Sequence, residues 1–202
     1  MKIIKPKSSS SILSTAYFPP IKYFQCFDIY NSIYIEHNEY YKRHSIRNRC
    51  VILGANGPLL LTVPIHRSSQ TLIKNIQIAN ESWKKNHINS LKSAYGSAPF
   101  FIYYFEDIKK IINKNHTFLI DLNTAILDYF LNEFELNKSI QHTNTYIQHY
   151  DHYTEDQRNE IQETAEQQKY HQVFGQNFIK NLSIIDLIFN VGPKATEYIC
   201  IS

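Results

Sequence analysis

The stretch RNRCVILGANGPLLLTVPIHR, which begins at residue 47, constrains the fold more than any other part of the chain. Two apolar runs flank Asn56-Gly57, and such a pair supplies the positive φ values of a type I′ turn. The pattern predicts a β-hairpin over residues 49–65, with Ile52 opposite Leu61. Because both faces are apolar near the turn, we expect the strand pair to be covered on both sides.

A cationic triplet, Arg47-Asn48-Arg49, opens this hairpin. Arginine forks pair with carboxylates or phosphates through parallel hydrogen bonds, so two forks on one face would form an anion pocket at the strand ends. The alternative is structural, with the arginines in ion pairs to nearby acidic residues. The candidate carboxylates for such pairs are Glu36, Glu39 and Asp28.

The order of the predicted elements, strands first and helices after, indicates an α+β fold. We expect an N-terminal β-rich half with the central hairpin and a C-terminal helical half packed against it. The predicted strands are residues 11–17, 32–36 and 72–78, and the predicted helices are residues 21–31, 82–95, 100–113 and 116–135. A further C-terminal helix has Asn181 or Ser183 near its start, and Gly192-Pro193 stops it. A length of 202 residues suits one domain over 1–202, with a flexible N-terminus (1–10) and a polar surface segment (150–170).

Two aromatic groups flank this scaffold as candidate ligand contacts. Trp83 and His87 share one stripe of the helix over 82–95 with Leu91 and Ala94. They are either a ligand-facing pair with His87 as general base, or core with a hydrogen-bonded histidine. Tyr17 and Tyr23 flank a double proline in AYFPPIKYF and either wall a sugar or planar ligand or form a corner of the core.

Several classes of site and partner are excluded by composition. The five glycines are not clustered, so nucleotide-binding loops are rejected, and the three cysteines lack zinc spacing. The sequence therefore names no cofactor. A net charge of +3 is too small to indicate nucleic-acid binding. No metal site is expected, because the His149/His152 pair lacks a third ligand.

Nothing in the sequence reads as a secretion signal or a membrane span, so a cytoplasmic protein is expected.

Four stretches together resemble the WbqC-like protein family, in the form found in Bacteroidetes. They are STAYFPPIKYF, YYKRHSIRNRCVILGANGPLLLTVPI, IQIANESWKKNHINSLKSAYGSAPFF and NFIKNLSIIDLIFNVGP. They occur in family order and cover most of the chain. One departure lies before the triplet, where Arg43 replaces the family's lysine and Ile46 replaces an aromatic residue. The charge is kept, and the aromatic wall is lost.

The resemblance implies a group transferase, moving an amino-acid or acyl group onto a sugar during assembly of surface polysaccharide such as O-antigen. We expect an anionic small-molecule or sugar substrate, with His87 as the catalytic base and Asn48 orienting an oxygen. The expected substrate-binding residues are Arg47, Arg49, Arg43, Tyr17, Tyr23, Trp83 and Tyr95. The alternative is a non-catalytic protein that binds an anionic small molecule or partner.

Overall fold

The computed structural model describes residues 10–66, 71–79, 82–136, 138–150, 153–159 and 167–200. The strands are Ser10–Ser14 (β1), Ser32–Glu36 (β2), Arg49–Gly54 (β3), Gly57–Thr62 (β4), Ile140–His142 (β5) and Thr154–Asp156 (β6). The α-helices are Ile21–Ile29 (α1), Trp83–Tyr95 (α2), Phe101–Asn113 (α3), Leu119–Glu133 (α4), Ile184–Val191 (α5) and Thr196–Ile199 (α6). Short 3-10 turns cover Ile73–Asn75 and Gly192–Ala195.

Four strands form a parallel sheet in the order β5-β2-β1-β6. The central strand β1 is buried on both faces, since Ser11, Ile12 and Leu13 are all fully buried. A parallel pair needs a crossover, and α1 supplies it between β1 and β2. With the helices α2–α4 after the N-terminal strands, the predicted α+β class is confirmed.

The hairpin forms as predicted, but its register differs by two residues. Gly54 pairs with Gly57 and Ile52 with Leu59, so the turn residues are Ala55 and Asn56. Only Gly57 has a positive φ, at 107°. The turn therefore uses glycine after its two central residues instead of a type I′ Asn-Gly pair, and the predicted pairing of Ile52 with Leu61 is wrong.

One side of the hairpin is open, contrary to the expectation that both sides are covered. Cys50 and Ile52 face the core, where β3 packs against α2 and α5. Side chains alternate along a strand, so Val51 faces outward, and on β4 the side chain of Leu60 is 51% exposed. This open side forms one wall of the cleft described below.

The buried face of α2 and the first residue of α5 agree with the local sequence patterns. Trp83, His87, Leu91 and Ala94 are all buried on α2. Ser183 caps α5, because its side chain accepts a hydrogen bond from the Ile185 amide.

The structure differs from the predicted strands at two places. Residues 72–78 do not form a strand: Ile73–Asn75 is a 3-10 turn, and Leu72, Gln77 and Ile78 form single bridges to three different segments. Residues 154–156, which lie in the predicted polar surface segment, form strand β6 and pair with β1.

Parts of two predicted segments lie outside the described residues, namely 1–9 of the flexible N-terminus and 151–152 and 160–166 of the polar segment. Within the described ranges, no helix combines the length and hydrophobicity that a membrane crossing requires.

Candidate functional site

A surface cleft of about 390 Å³ lies on the open side of the hairpin. We call it the Arg49 cleft. Its walls come from four segments that are distant in sequence, and Arg49 borders it at the start of β3. The lining segments are residues 18–20, 44–46, 49–51 with 58 and 60, and 179–183.

The backbone of this cleft is unusual. Phe18, His44 and Asn181 have φ values of 41°, 55° and 62°. They are three of the four non-glycine residues with positive φ in the described part of the chain. Left-handed backbone costs on the order of 1 kcal/mol or more at such residues and concentrates at binding sites. The surrounding contacts must therefore hold these three segments in place.

Ser183 supplies many of those contacts. Its hydroxyl donates to the Phe18 carbonyl oxygen at 2.8 Å, and its amide donates to the Val51 carbonyl oxygen at 2.7 Å. The next amide, of Ile184, donates to the Pro19 carbonyl oxygen at 2.8 Å. One residue thus joins the β1–α1 segment, the hairpin and the start of α5.

Hydrogen-bond donors border the cleft. Arg49 Nη1 lies 2.7 Å from His44 Nδ1. A guanidinium only donates, so Nδ1 accepts and the neutral imidazole carries its proton on Nε2. The Nε of Arg49 is buried and has no hydrogen-bond partner among the described residues. The donors left for an anion in the cleft are therefore the remaining Nη hydrogens of Arg49 and the Nε2–H of His44.

Arg47 has a different environment from Arg49. It is 2% exposed and its Nε and Nη2 donate to the two carboxylate oxygens of Glu39 at 2.7 and 2.5 Å. This bidentate pair matches the structural alternative for the triplet. Arg47 also borders a cavity of about 60 Å³ beside Arg158. The two guanidinium groups thus do not share one pocket.

Asn48, between the two arginines, is buried and hydrogen-bonded. Its Nδ2 donates to the Val63 carbonyl oxygen at 2.8 Å, and its Oδ1 accepts from the Tyr41 hydroxyl at 2.8 Å. The side chain joins the start of β3 to the residue after β4, and it does not line the Arg49 cleft.

His87 and Tyr17 form a buried pair on the core side of the hairpin. Tyr17 Oη lies 2.8 Å from His87 Nδ1, and the second interaction of the ring is with the Thr62 backbone. Burial lowers the pKa of His87 from 6.5 to about 4, with the hydrogen bond to the Thr62 backbone opposing it. Trp83 packs edge-on against both rings. None of the three lines the cleft, and the base role of His87 stays a prediction.

Tyr95 belongs to a second buried cluster. Its hydroxyl donates to Asp186 Oδ1 at 2.8 Å and accepts from the Leu53 amide at 2.9 Å. Tyr170 and Gln172 donate to the other oxygen of Asp186. Burial raises the pKa of this carboxyl group, while the hydrogen bonds from Tyr170, Tyr95 and Gln172 oppose the rise. Tyr95 therefore anchors α5 to α2 and β3.

The remaining predicted residues lie elsewhere. Arg43 is exposed and does not border the cleft. Tyr23 is buried and lines a separate cavity. His149 is exposed and His152 lies outside the described residues; within those residues, no three His, Cys, Asp or Glu side chains cluster as a metal site requires. Cys26, Cys50 and Cys200 are free thiols, and burial raises the pKa of Cys50.

Of the residues that line the cleft, only Arg49 was predicted as a ligand contact, and those that sequence reasoning missed include Phe18, His44, Lys180 and Asn181. His44 stands in the basic loop before the triplet, which was a usable signal. Asn181 was considered as one of two residues near the start of the C-terminal helix and not as a cleft residue. Its left-handed backbone has no signature beyond the tolerance of asparagine for that conformation.

The fold and the cleft together define an α+β protein with a basic, partly apolar surface cleft beside its central hairpin. The chain belongs to the WbqC-like protein family, whose sequence model matches residues 15–159 and 141–198. No curated protein and no solved structure matches the chain.

Proposed function

We propose that the chain binds a phosphate- or carboxylate-bearing sugar derivative in the Arg49 cleft. The observation that carries this proposal is the Arg49–His44 pair, whose remaining N–H groups can donate to an anion. Lys180, which also lines the cleft, adds a further positive charge. Charge-assisted hydrogen bonds to a planar fork favour carboxylate and phosphate over neutral groups.

The rest of the cleft suits a ligand that is not purely ionic. Phe18, Pro19 and Pro20 form one wall, and Pro58 and Leu60 of the hairpin form another. Rigid apolar walls beside a few polar groups are typical of small-molecule sites. An anionic group on a sugar or a sugar-linked lipid carrier would place its charge at Arg49 and its less polar part on these walls.

The family resemblance supports a finer proposal, a cytoplasmic group transferase in surface-polysaccharide assembly. In this proposal His87 removes a proton from the acceptor and Asn48 orients an oxygen. One observation favours the alternative of a non-catalytic binding protein: His87 and Asn48 are buried and already hydrogen-bonded within the protein. Catalysis by His87 would require its bond to Tyr17 to open when substrate binds.

Calorimetric titration tests the binding proposal. Glucose 1-phosphate and galacturonate are the anionic probes, and glucose is the neutral control. Replacing Arg49 with Gln (Arg49→Gln) should raise the Kd of the anions about 10- to 100-fold, since hydrogen bonds to charged groups contribute roughly 1.5–3 kcal/mol. The variant Lys85→Gln removes an exposed positive charge that does not border the cleft and should leave the Kd unchanged.

Two results would refute the cleft as the binding site. One is equal binding of glucose and the anions, and the other is an equal loss in both variants. Mass spectrometry of the purified protein supplies a direct check, because a co-purified small anion would identify the ligand class. Catalysis is judged separately: His87→Ala should abolish turnover and keep binding.

A further inference from the structure

A second cavity, of about 180 Å³, is lined by residues of the segment after β1, of β2, of β5 and of α4. We call it the α4 cavity. Thr15 follows β1, Ile35 belongs to β2, and His142 is the last residue of β5. The cavity thus opens at the carboxyl ends of three parallel strands, the edge at which open parallel sheets bind their ligands. Helix α4 closes the opposite side.

Asn123 of α4 lines this cavity with one hydrogen-bonding atom unused. The side chain is 1% exposed, and its Nδ2 donates to the Arg47 carbonyl oxygen at 2.8 Å. That bond fixes the orientation of the amide. Its Oδ1 has no partner in the part of the chain that the structure describes. A buried acceptor without a donor is destabilising, so a ligand that donates to it regains that loss.

The neighbouring groups define the charge of the ligand. Asp128, five residues after Asn123 on α4, carries the negative charge at the cavity, and no lysine or arginine is among the described residues that line it. The Thr15 and Thr124 hydroxyls can accept, and so can the imidazole of His142. The cavity is therefore rich in acceptors, in contrast to the donor-rich Arg49 cleft.

We propose that the α4 cavity binds a small hydroxylated primary amine, with the ammonium group at Asp128 and a hydroxyl donating to Asn123. The aliphatic side chains of Ile35, Leu127 and Ile140 pack against the carbon atoms of the ligand. The volume accommodates a molecule on the order of six heavy atoms, judged against about 30 Å³ for each water in the liquid. This site is independent of the anion site proposed above.

Two probes of equal size test the proposal. Serinol (2-amino-1,3-propanediol) and glycerol differ only in an ammonium group and a hydroxyl. In ¹H–¹⁵N NMR titrations, serinol should shift the amides of Asn123 and Asp128 and bind more tightly than glycerol. Asp128→Asn should raise the Kd of serinol about two- to fivefold, as expected for an exposed ion pair. Thr124→Trp should occupy most of the cavity with its much larger side chain and abolish binding of serinol.

Asp121→Asn is the matched control, because Asp121 is an exposed aspartate on the same helix and does not line the cavity. The proposal is overturned if serinol leaves the α4 amides unshifted, if glycerol binds equally well, or if Asp121→Asn weakens binding as much as Asp128→Asn. Titration of glucose 1-phosphate into the same samples reports on the Arg49 cleft separately, so the two proposals can fail independently.

Discussion

The buried ion pair between Arg47 and Glu39 indicates that the first arginine of the triplet stabilises the fold. Both side chains are at least nine-tenths buried and joined by two hydrogen bonds. Removing one partner of such a pair leaves an uncompensated buried charge, at about 3–5 kcal/mol of unfolding free energy. We therefore expect Arg47→Met to lose about that much, equivalent to a Tm lower by roughly 6–20 °C.

A double-mutant cycle separates the pair from simple loss of packing. Glu39→Met should be destabilising by a similar amount, because Arg47 then remains charged without its carboxylate. The double variant should lose at least about 2 kcal/mol less than the sum of the single losses, since an apolar pair of similar volume replaces an ion pair at little cost. Arg43→Met, an exposed arginine in the same loop, should change stability by about 0.5 kcal/mol or less.

Urea unfolding followed by fluorescence measures these differences. Trp83 is the single tryptophan and is buried against Tyr17, so its emission reports the native core. If Arg47→Met instead keeps the stability of the wild type and weakens binding of glucose 1-phosphate, Arg47 is a ligand group and the structural account of it is wrong. An additive cycle would equally contradict direct pairing.

Two further predictions concern buried positions. Because the pKa of His87 is lowered to about 4, the unfolded state takes up its proton first as the pH falls. The contribution of His87 to the free energy of unfolding is thus complete above pH 6.5 and decreases by about 3 kcal/mol as the pH falls to 4. Between pH 7 and pH 4, the unfolding free energy measured in urea should therefore fall by that much more for the wild type than for His87→Gln. The variant His171→Gln, at an exposed histidine, should show the same change with pH as the wild type. Gly192→Ala should be destabilising by several kcal/mol in the same assay, because its Cβ would lie 2.3 Å from the Phe100 ring at a φ of 58°; a loss below 1 kcal/mol would contradict this.

Elements with local signals were predictable from the sequence. The stripe of α2, the cap at Ser183 and the stop at Gly192 all follow from spacing and residue type within one element. The register of the hairpin could not be predicted, because Gly57 fits either as the second residue of a type I′ turn or as the residue that follows a turn at Ala55 and Asn56. A shift of one residue in the turn moves every cross-strand pair by two.

The candidate site could be predicted only in part, since its residues meet through tertiary contacts. Arg49 was singled out for its chemistry, and the structure places it at the cleft, although binding there stays a prediction. The partner of Arg47 was one of three candidate carboxylates, and only the fold selects Glu39. Nothing local to His44 or Asn181 shows that both line the same cleft.

Among the described residues, none between 61 and 178 belongs to the four segments that line the Arg49 cleft. Helices α2, α3 and α4 and the strands β5 and β6 serve as scaffold behind it. A relative could change the length or the sequence of those parts extensively and still present the same cleft to solvent. Comparison of such relatives should therefore weigh four short peptides, held together by a single serine, above the much longer sequence that separates them.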